Sequence, residues 1–188
     1  LTETSHSPVA LDLGTMYYWK VNEVSTTEPS TMLDGDVWNF MTPEFIVVDD
    51  FEDYNDYPPD EIFNAWIDGW GIPENGALSA NDNPPFAETT TVHSGLQAMP
   101  FRYENIGAAI YSETERTFAI AQDWTRHNLK TLSLRFYGNP DNVPGQLYVK
   151  INDAKVVYDG DASNLTRSGW QAWNVELASF GVDMQSVT

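Results

Sequence analysis

The sequence predicts an all-β protein, a jelly-roll β-sandwich preceded by a short hairpin unit, and three observations carry that reading. Apolar and polar residues alternate over short runs, while the 3.6-residue period of an amphipathic helix is almost absent. Gly, Pro, Asn and Asp divide the runs, as in GNPDNVPG (138–145), NDNPP (81–85) and HSG (93–95), and these residues supply turn geometry. Aromatic residues make up 13% of the chain, with seven Trp and nine Tyr, and such side chains suit a pleated, half-buried surface.

The first two strands lie near the start. TMYYWKVNEV (15–24) places Met16, Tyr18 and Lys20 on one face and Tyr17, Trp19 and Val21 on the other, since successive residues of a strand point to opposite sides. GDVWNFMT (35–42) alternates Val37, Asn39 and Met41 against Trp38 and Phe40. The polar stretch between them predicts an antiparallel hairpin. TPEF (42–45) reads as a linker in which Pro43 ends the strand, giving a first unit over 1–43 and a second over 44–188.

The second unit opens with FIVVDDFE (45–52) as its first strand. Further strands are expected at NAWIDGW (64–70), ETTTVH (88–93), QAMPFRYEN (97–105), AIYSETERTF (109–118) and KTLSLRFYG (130–138). GQLYVKIN (145–152), KVVYDG (155–160) and WQAWNVEL (170–177) complete the set, and AQDWTRHNL (121–129) reads as a short helical turn. Eight or nine strands at this spacing are the pattern of a sandwich. Leu132, Leu134 and Phe136 form one face of their strand, and Trp173, Val175 and Leu177 point inward on theirs.

Composition removes several function classes. With 28 acidic and nine basic residues among 188, the formal charge is −19, which repels phosphate backbones and excludes nucleic acid as a partner. The same charge attracts divalent cations and favours solubility outside the cell. There is no cysteine, so disulfides and thiolate metal sites are excluded. No apolar run approaches the roughly 20 residues that span a bilayer. The chain starts at Leu1 without Met and ends at MQSVT, where a strand is beginning, so it is expected to be a piece of a longer polypeptide.

Catalytic patterns are missing. No GxSxG elbow, HExxH helix or Gly-rich phosphate loop occurs. Carboxylate pairs about 5–9 Å apart, as glycosidases need, arise by chance among so many acids. His6, His93 and His127 are isolated and read as surface or turn residues, and neighbours within DWTRH (123–127) do not converge on one centre. NLT (164–166) is a glycosylation sequon, relevant only in a eukaryotic secretory host. No enzyme activity is expected.

Two stretches resemble known modules. GTMYYWKVNEV (14–24) with GDVWNFMTPE (35–44) resembles the last two strands of a fibronectin type III domain, whose tyrosine corner would fall on Tyr17 or Tyr18. Residues 45–188 resemble the carbohydrate-binding-module-like, galactose-binding-like jelly rolls of large bacterial extracellular proteins, planctomycete ones in particular. The motifs are VVDDFEDYND, AWIDGWG, TVHSGLQAMPFRYEN, YSETERTF, DWTRHNLKTLSLRFYGNPDN and GQLYVKINDAKVVYDGD. The resemblance implies an extracellular or cell-surface module that binds polysaccharide or glycan, or that orders sibling domains of the same chain. It also implies a closing strand beyond residue 188.

The resemblance further implies a structural calcium between a carboxylate of the first strand and the HSG turn. Asp50 and Glu52 share one face of that expected strand, with Ser94 and Gln97 adding oxygens toward the six to eight that calcium takes. The alternative is a solvated acidic loop. DDFEDYNDYPPDE (49–61) is not an EF-hand, because Gly is missing at the sixth loop position.

Sugar modules stack pyranose C–H faces on exposed Trp or Tyr and bind hydroxyls with acids and amides. Trp70 and Asp68 are one candidate pair, with Trp66 the better core residue of the two tryptophans. Arg135, Tyr137, Tyr148 and Lys150 are a second, concave-face candidate, while core packing remains the alternative for each aromatic. The expectation is a non-catalytic carbohydrate-binding or domain-organising module. Its rival is a structural protein that self-assembles into a surface layer, fibre or matrix by strand exchange or surface contacts.

Overall fold

A computed structural model describes residues 5–8, 10–25, 27 and 31–188. The chain is β-rich with little helix, and it divides into two compact units, Leu1–Val48 and Asp49–Thr188. The division falls after Val48 instead of Pro43. The Gly14 N–H donates to the Pro43 carbonyl (2.8 Å), so the segment read as a linker stays with the hairpin.

In the first unit, β1 (Met16–Trp19) pairs antiparallel with β4 (Trp38–Met41), as the two alternating segments predict. Directly opposed residues share a face. Tyr17 therefore stacks on Phe40 (5.8 Å) and Trp19 on Trp38 (6.3 Å). The loop between the strands carries a smaller ladder of β2 (Glu23–Val24) with β3 (Met32–Leu33). Of the two adjacent tyrosines, Tyr17 has a hydroxyl that accepts from the Asp12 N–H (2.8 Å), while Tyr18 is 69% exposed.

The second unit is built on β7 (Thr131–Tyr137) and β10 (Trp170–Glu176), paired antiparallel over seven residues. Its inner face carries Leu132, Leu134 and Phe136 against Val175, Trp173 and Gln171. Trp173 and Val175 are buried, each worth about 1.5–3 kcal/mol or more in apolar transfer. Beside this ladder, β8 (Tyr148–Ile151) and β9 (Ala154–Val157) form a hairpin. Asn152 and Asp153 both have positive φ at its turn (45° and 68°), the geometry of a two-residue hairpin loop whose twist matches its strands. Tyr158 joins ladder to hairpin, its ring edge-on to Phe136 and to Trp173 at 5.3 Å each.

Other expected strands are reduced to fragments. Residues 64–70 do not form a strand: Ile62–Ala65 make one helical turn (α1) with Ile62 fully buried, and Asp68 folds back on the next turn. β5 (Ala77–Leu78) and β6 (Arg102–Tyr103) form a two-residue ladder. Segment 88–93 keeps a single bridge, Glu88 to Ala98, because the Glu88 carboxylate accepts from the Thr90 and Thr91 N–H groups and closes a turn. In 109–118, the Asn75 amide takes the place of a strand, donating to the Glu113 carbonyl and accepting from its N–H (2.8 and 2.9 Å). Side chains that bond backbone groups in this way compete directly with ladders. The helical turn expected in 121–129 is present as a 3₁₀ turn, Arg126–Asn128.

The expected first strand is also absent. Phe51 adopts a left-handed φ of 65°, a conformation costly for a residue with a bulky side chain. The Asp49 carboxylate accepts from the Phe51 N–H (2.8 Å), the Tyr54 hydroxyl (2.6 Å), the Trp66 indole N–H (2.7 Å) and the Arg116 guanidinium. Its side chain is only 8% exposed. The Phe51 ring packs against Tyr54 and Trp66. Burial, and then the bond to Asp49, push the Tyr54 phenol well above its ordinary pKa.

Asp49→Asn keeps the shape but removes the charge that faces Arg116. Because loss of one partner strands the other in a poorly hydrated site, a destabilisation of roughly 3 kcal/mol is expected, measured by urea unfolding. Asp53→Asn, in the same acidic stretch, is the control and should stay near wild type.

Candidate functional site

The bend at Phe51 turns the acidic segment into a clasp. Asp49 points inward, and Glu52 reaches a turn more than forty residues away. The Glu52 carboxylate accepts from the Leu96 N–H (2.9 Å) and the Gln97 N–H (3.1 Å). The Gln97 amide in return donates to the Phe51 and Tyr54 carbonyls, both at 2.8 Å. Gly95 sits in the left-handed region (φ 72°), and a Cβ there would meet a Glu52 carboxylate oxygen at 2.3 Å. A side chain there would strain the backbone and push the Glu52 carboxylate aside.

This geometry corrects the strand expected to carry the calcium ligands. Asp50 and Glu52 do not share a strand face, because no strand forms and Phe51 reverses the chain between them. Asp50 instead accepts from the Glu52 N–H (3.1 Å). Ser94 is exposed. Calcium needs six to eight oxygens turned toward it, whereas Glu52 is faced by N–H donors. Among the described residues no group of three or more His, Cys, Asp or Glu is arranged to hold a metal.

Of the aromatic candidates, Trp70 is 83% exposed at a turn closed by the Asp68 carboxylate, which accepts from the Trp70 N–H (2.9 Å). It makes no ring contact among the described residues. Asp68 is 8% exposed, and its second oxygen accepts from the Ser79 N–H (2.8 Å) with the Ser79 hydroxyl at 3.1 Å. Its carboxylate is therefore spent on the turn and not offered to a ligand. Trp66 points inward, as expected, with its indole N–H on Asp49.

The four residues of the concave-face candidate separate into two sets with different partners. Tyr148 and Lys150 belong to an ionic cluster on the hairpin. Tyr148 donates to Glu113 (2.7 Å), Lys150 approaches the other Glu113 oxygen (3.2 Å), and the Lys155 ammonium lies 4.4 Å from the Tyr148 ring centroid. Burial, then the hydrogen bond and charge of Glu113, push the Tyr148 phenol up to about 12. Arg135 and Tyr137 lie on the outer face of the β7–β10 ladder.

That outer face is the best-formed candidate. Tyr137 is paired with Trp170 across the ladder, ring centroids 5.6 Å apart and edge-on. His93, from the turn that Glu52 holds, lies edge-on to the same indole at 5.3 Å. His93 is exposed, Tyr137 is exposed, and Trp170 is half-buried. Next along the row come Arg135 opposite Ala172, then Ser133 opposite Asn174, whose side chains are hydrogen-bonded at 2.8 Å. The face thus offers π-surface, a phenol, an imidazole, a guanidinium and an amide within one stretch.

Sequence reasoning found Tyr137 and Arg135 through alternation but missed Trp170 and His93. Trp170 was legible once the equal-length segments 131–137 and 170–176 are set antiparallel in register, since their ends then coincide. Nothing local marked His93, whose position depends on Glu52. The sequon residue Asn164 is 9% exposed, and its amide donates to the Tyr158 hydroxyl (2.8 Å). Comparison with protein-family models, curated proteins and solved structures finds no match to this chain.

Two measurements follow from this geometry. Glu52→Ala frees the N–H groups of Leu96 and Gln97, so the melting temperature should fall equally in calcium and in chelator. A loss confined to calcium-containing buffer would restore the metal reading. For Tyr148, the unfolded chain releases the phenolic proton near pH 10, while the fold keeps it up to about 12. The stabilisation is complete below pH 10 and disappears as pH rises toward 12. Tyr148→Phe should therefore show a shallower loss of stability with pH than wild type across this interval in urea titrations.

Proposed function

We propose that this chain is a non-catalytic carbohydrate-binding module of a bacterial extracellular or cell-surface protein, with its site on the outer face of the β7–β10 ladder. The observation that carries the reading is the cluster of His93, Tyr137 and Trp170, with Arg135 one ladder pair away. Exposed aromatic surface beside fixed polar groups is what a pyranose requires, because its C–H face stacks while its hydroxyls take directional bonds. Such binding involves no covalent step.

We read the second unit as a jelly roll and the first as the end of a fibronectin type III-like domain. The seven-residue β7–β10 ladder and the adjoining β8–β9 hairpin support the former. The β1–β4 register and the Tyr17 hydroxyl bond to the Asp12 backbone support the latter. In this arrangement the module orders or anchors sibling domains on a polysaccharide.

A second reading, self-assembly into a surface layer or matrix, draws on the first unit. Tyr18, Trp19, Trp38 and Met41 are each half or more exposed (69, 50, 59 and 54%), and apolar surface of that kind favours protein contacts.

Affinity electrophoresis through gels cast with different polysaccharides tests the proposal. Wild type should be retarded by at least one polymer, and Tyr137→Ala and Trp170→Ala should each weaken retention about tenfold or more. Trp70→Ala should bind as wild type. Absence of retention on every polymer, together with a mass that grows with concentration in light scattering, would overturn the proposal in favour of assembly.

A further inference from the structure

We infer that the ligand on this face is an anionic saccharide, a uronate or a sulfated sugar, and that Arg135 binds its acidic group. The inference rests on the carbohydrate-binding reading and adds the substrate class.

The starting point is an unneutralised cation in a strongly acidic protein. Of nine basic residues, Lys20, Arg102, Arg116, Lys150 and Arg167 each hold a carboxylate at ion-pair distance, and Lys155 lies over Tyr148. Arg126, Lys130 and Arg135 have no ion pair among the described residues. Only Arg135 stands on the row that carries the rings. With 28 acids in the chain, a bare arginine beside an aromatic cluster is a position the acids have left open.

Its neighbours on the ladder keep it open. The residues flanking Arg135 on the outer face are Ser133, Tyr137, Trp170, Ala172 and Asn174, none of them acidic. Ala172 directly opposite is too small to cover the guanidinium, whose one bond within the fold goes from Nη1 to the Leu134 carbonyl (3.2 Å). Arginine presents five donors in a planar fork, so most of its capacity faces outward, in the geometry that carboxylate and sulfate oxygens match.

Spacing fits one extended ligand. Residues two apart on an antiparallel strand are separated by about 7 Å, so a saccharide resting on Tyr137 and Trp170 brings its own acidic substituent, or that of the next unit, to Arg135. The charge of −19 does not forbid this. Charges further away than the Debye length of about 8 Å are largely screened at physiological salt, and the row around Arg135 carries no acid within that reach along the ladder. The hydroxyls of a neutral glycan could accept from the guanidinium, but only an acidic group supplies its counter-charge.

The test compares an acidic polymer with its uncharged ester and adds a sulfated one. Affinity electrophoresis is run with polygalacturonate, its methyl ester and a sulfated galactan, for wild type, Arg135→Gln and Tyr137→Ala. Wild type should be retarded by polygalacturonate or the sulfated galactan at least tenfold more strongly than by the methyl ester, and less so as salt rises. Arg135→Gln should lose that preference with its melting temperature unchanged, since the side chain is exposed. Stronger retention by the sulfated polymer would assign the anion to sulfate, by polygalacturonate to carboxylate. Equal retention by charged and esterified polymers, unaffected by Arg135→Gln but lost in Tyr137→Ala, would overturn the inference and leave sugar binding standing. Failure of both anionic polymers to retard wild type overturns it as well, and retention by neutral polysaccharides alone would then preserve only the broader proposal.

Discussion

A carboxylate withdrawn from water is tolerated only where donors replace its hydration, and Asp49 imposes that condition on Phe51, Tyr54, Trp66 and Arg116 together. These residues come from three separate stretches of the second unit. The chain bends at the same place, since Phe51, whose N–H bonds Asp49, also carries the left-handed φ. The bend then sends Glu52 toward the 93–97 turn. From there the dependence runs to the site: Glu52 holds the turn, the turn presents His93, and His93 meets the Trp170 ring. A local strain of about 1–3 kcal/mol at Phe51 is offset by charge-assisted bonds of similar size on either side of it.

Much of the ladder structure was legible because it is written in alternation. The segments 131–137, 148–151, 154–157 and 170–176 show period-two patterning with an apolar inner face, and each becomes a strand. The hairpin of the first unit follows the same rule. Segments 45–52, 64–70, 88–93 and 109–118 carry equally plausible patterns and mostly fail to pair. Beyond isolated bridges such as Ile67–Glu115 and Glu88–Ala98, the Asp49, Asp68, Glu88 and Asn75 side chains take up backbone groups there. Alternation reports which residues face inward if a strand exists. It is silent on whether a nearby carboxylate or amide will capture the backbone first.

The site was legible in half. Arg135 and Tyr137 alternate away from Leu134 and Phe136, so their outward direction is a property of one strand. Tyr148 and Lys150 alternate outward as well, but they sit on the other hairpin, where Glu113 occupies both. Outward direction on two strands does not make one face. Which strands are neighbours is decided by the register of β7 with β10, and that same register brings Trp170 to Tyr137.

The acidic excess, which first raises the thought of a metal or an active centre, has a more general use here. Asp50, Asp56, Asp68, Glu88, Asp123, Asp161 and Asp183 each accept a bond from a backbone N–H at a bend or turn. An ionised acceptor bonds a backbone N–H more strongly than a neutral one does, so a fold of short ladders and many turns gains from an acid at each corner. Like charges placed at separate corners are also spread over the surface, where screening limits their repulsion. The long β7–β10 ladder satisfies its own backbone groups and has no corner between Ser133 and Tyr137, nor between Trp170 and Asn174. No acid stands between Ser133 and Tyr137 or between Trp170 and Asn174, and the first on this face is Glu176, opposite Thr131 at the ladder's end. The guanidinium of Arg135 and the rings beside it are thereby left open in a protein with 28 acidic residues.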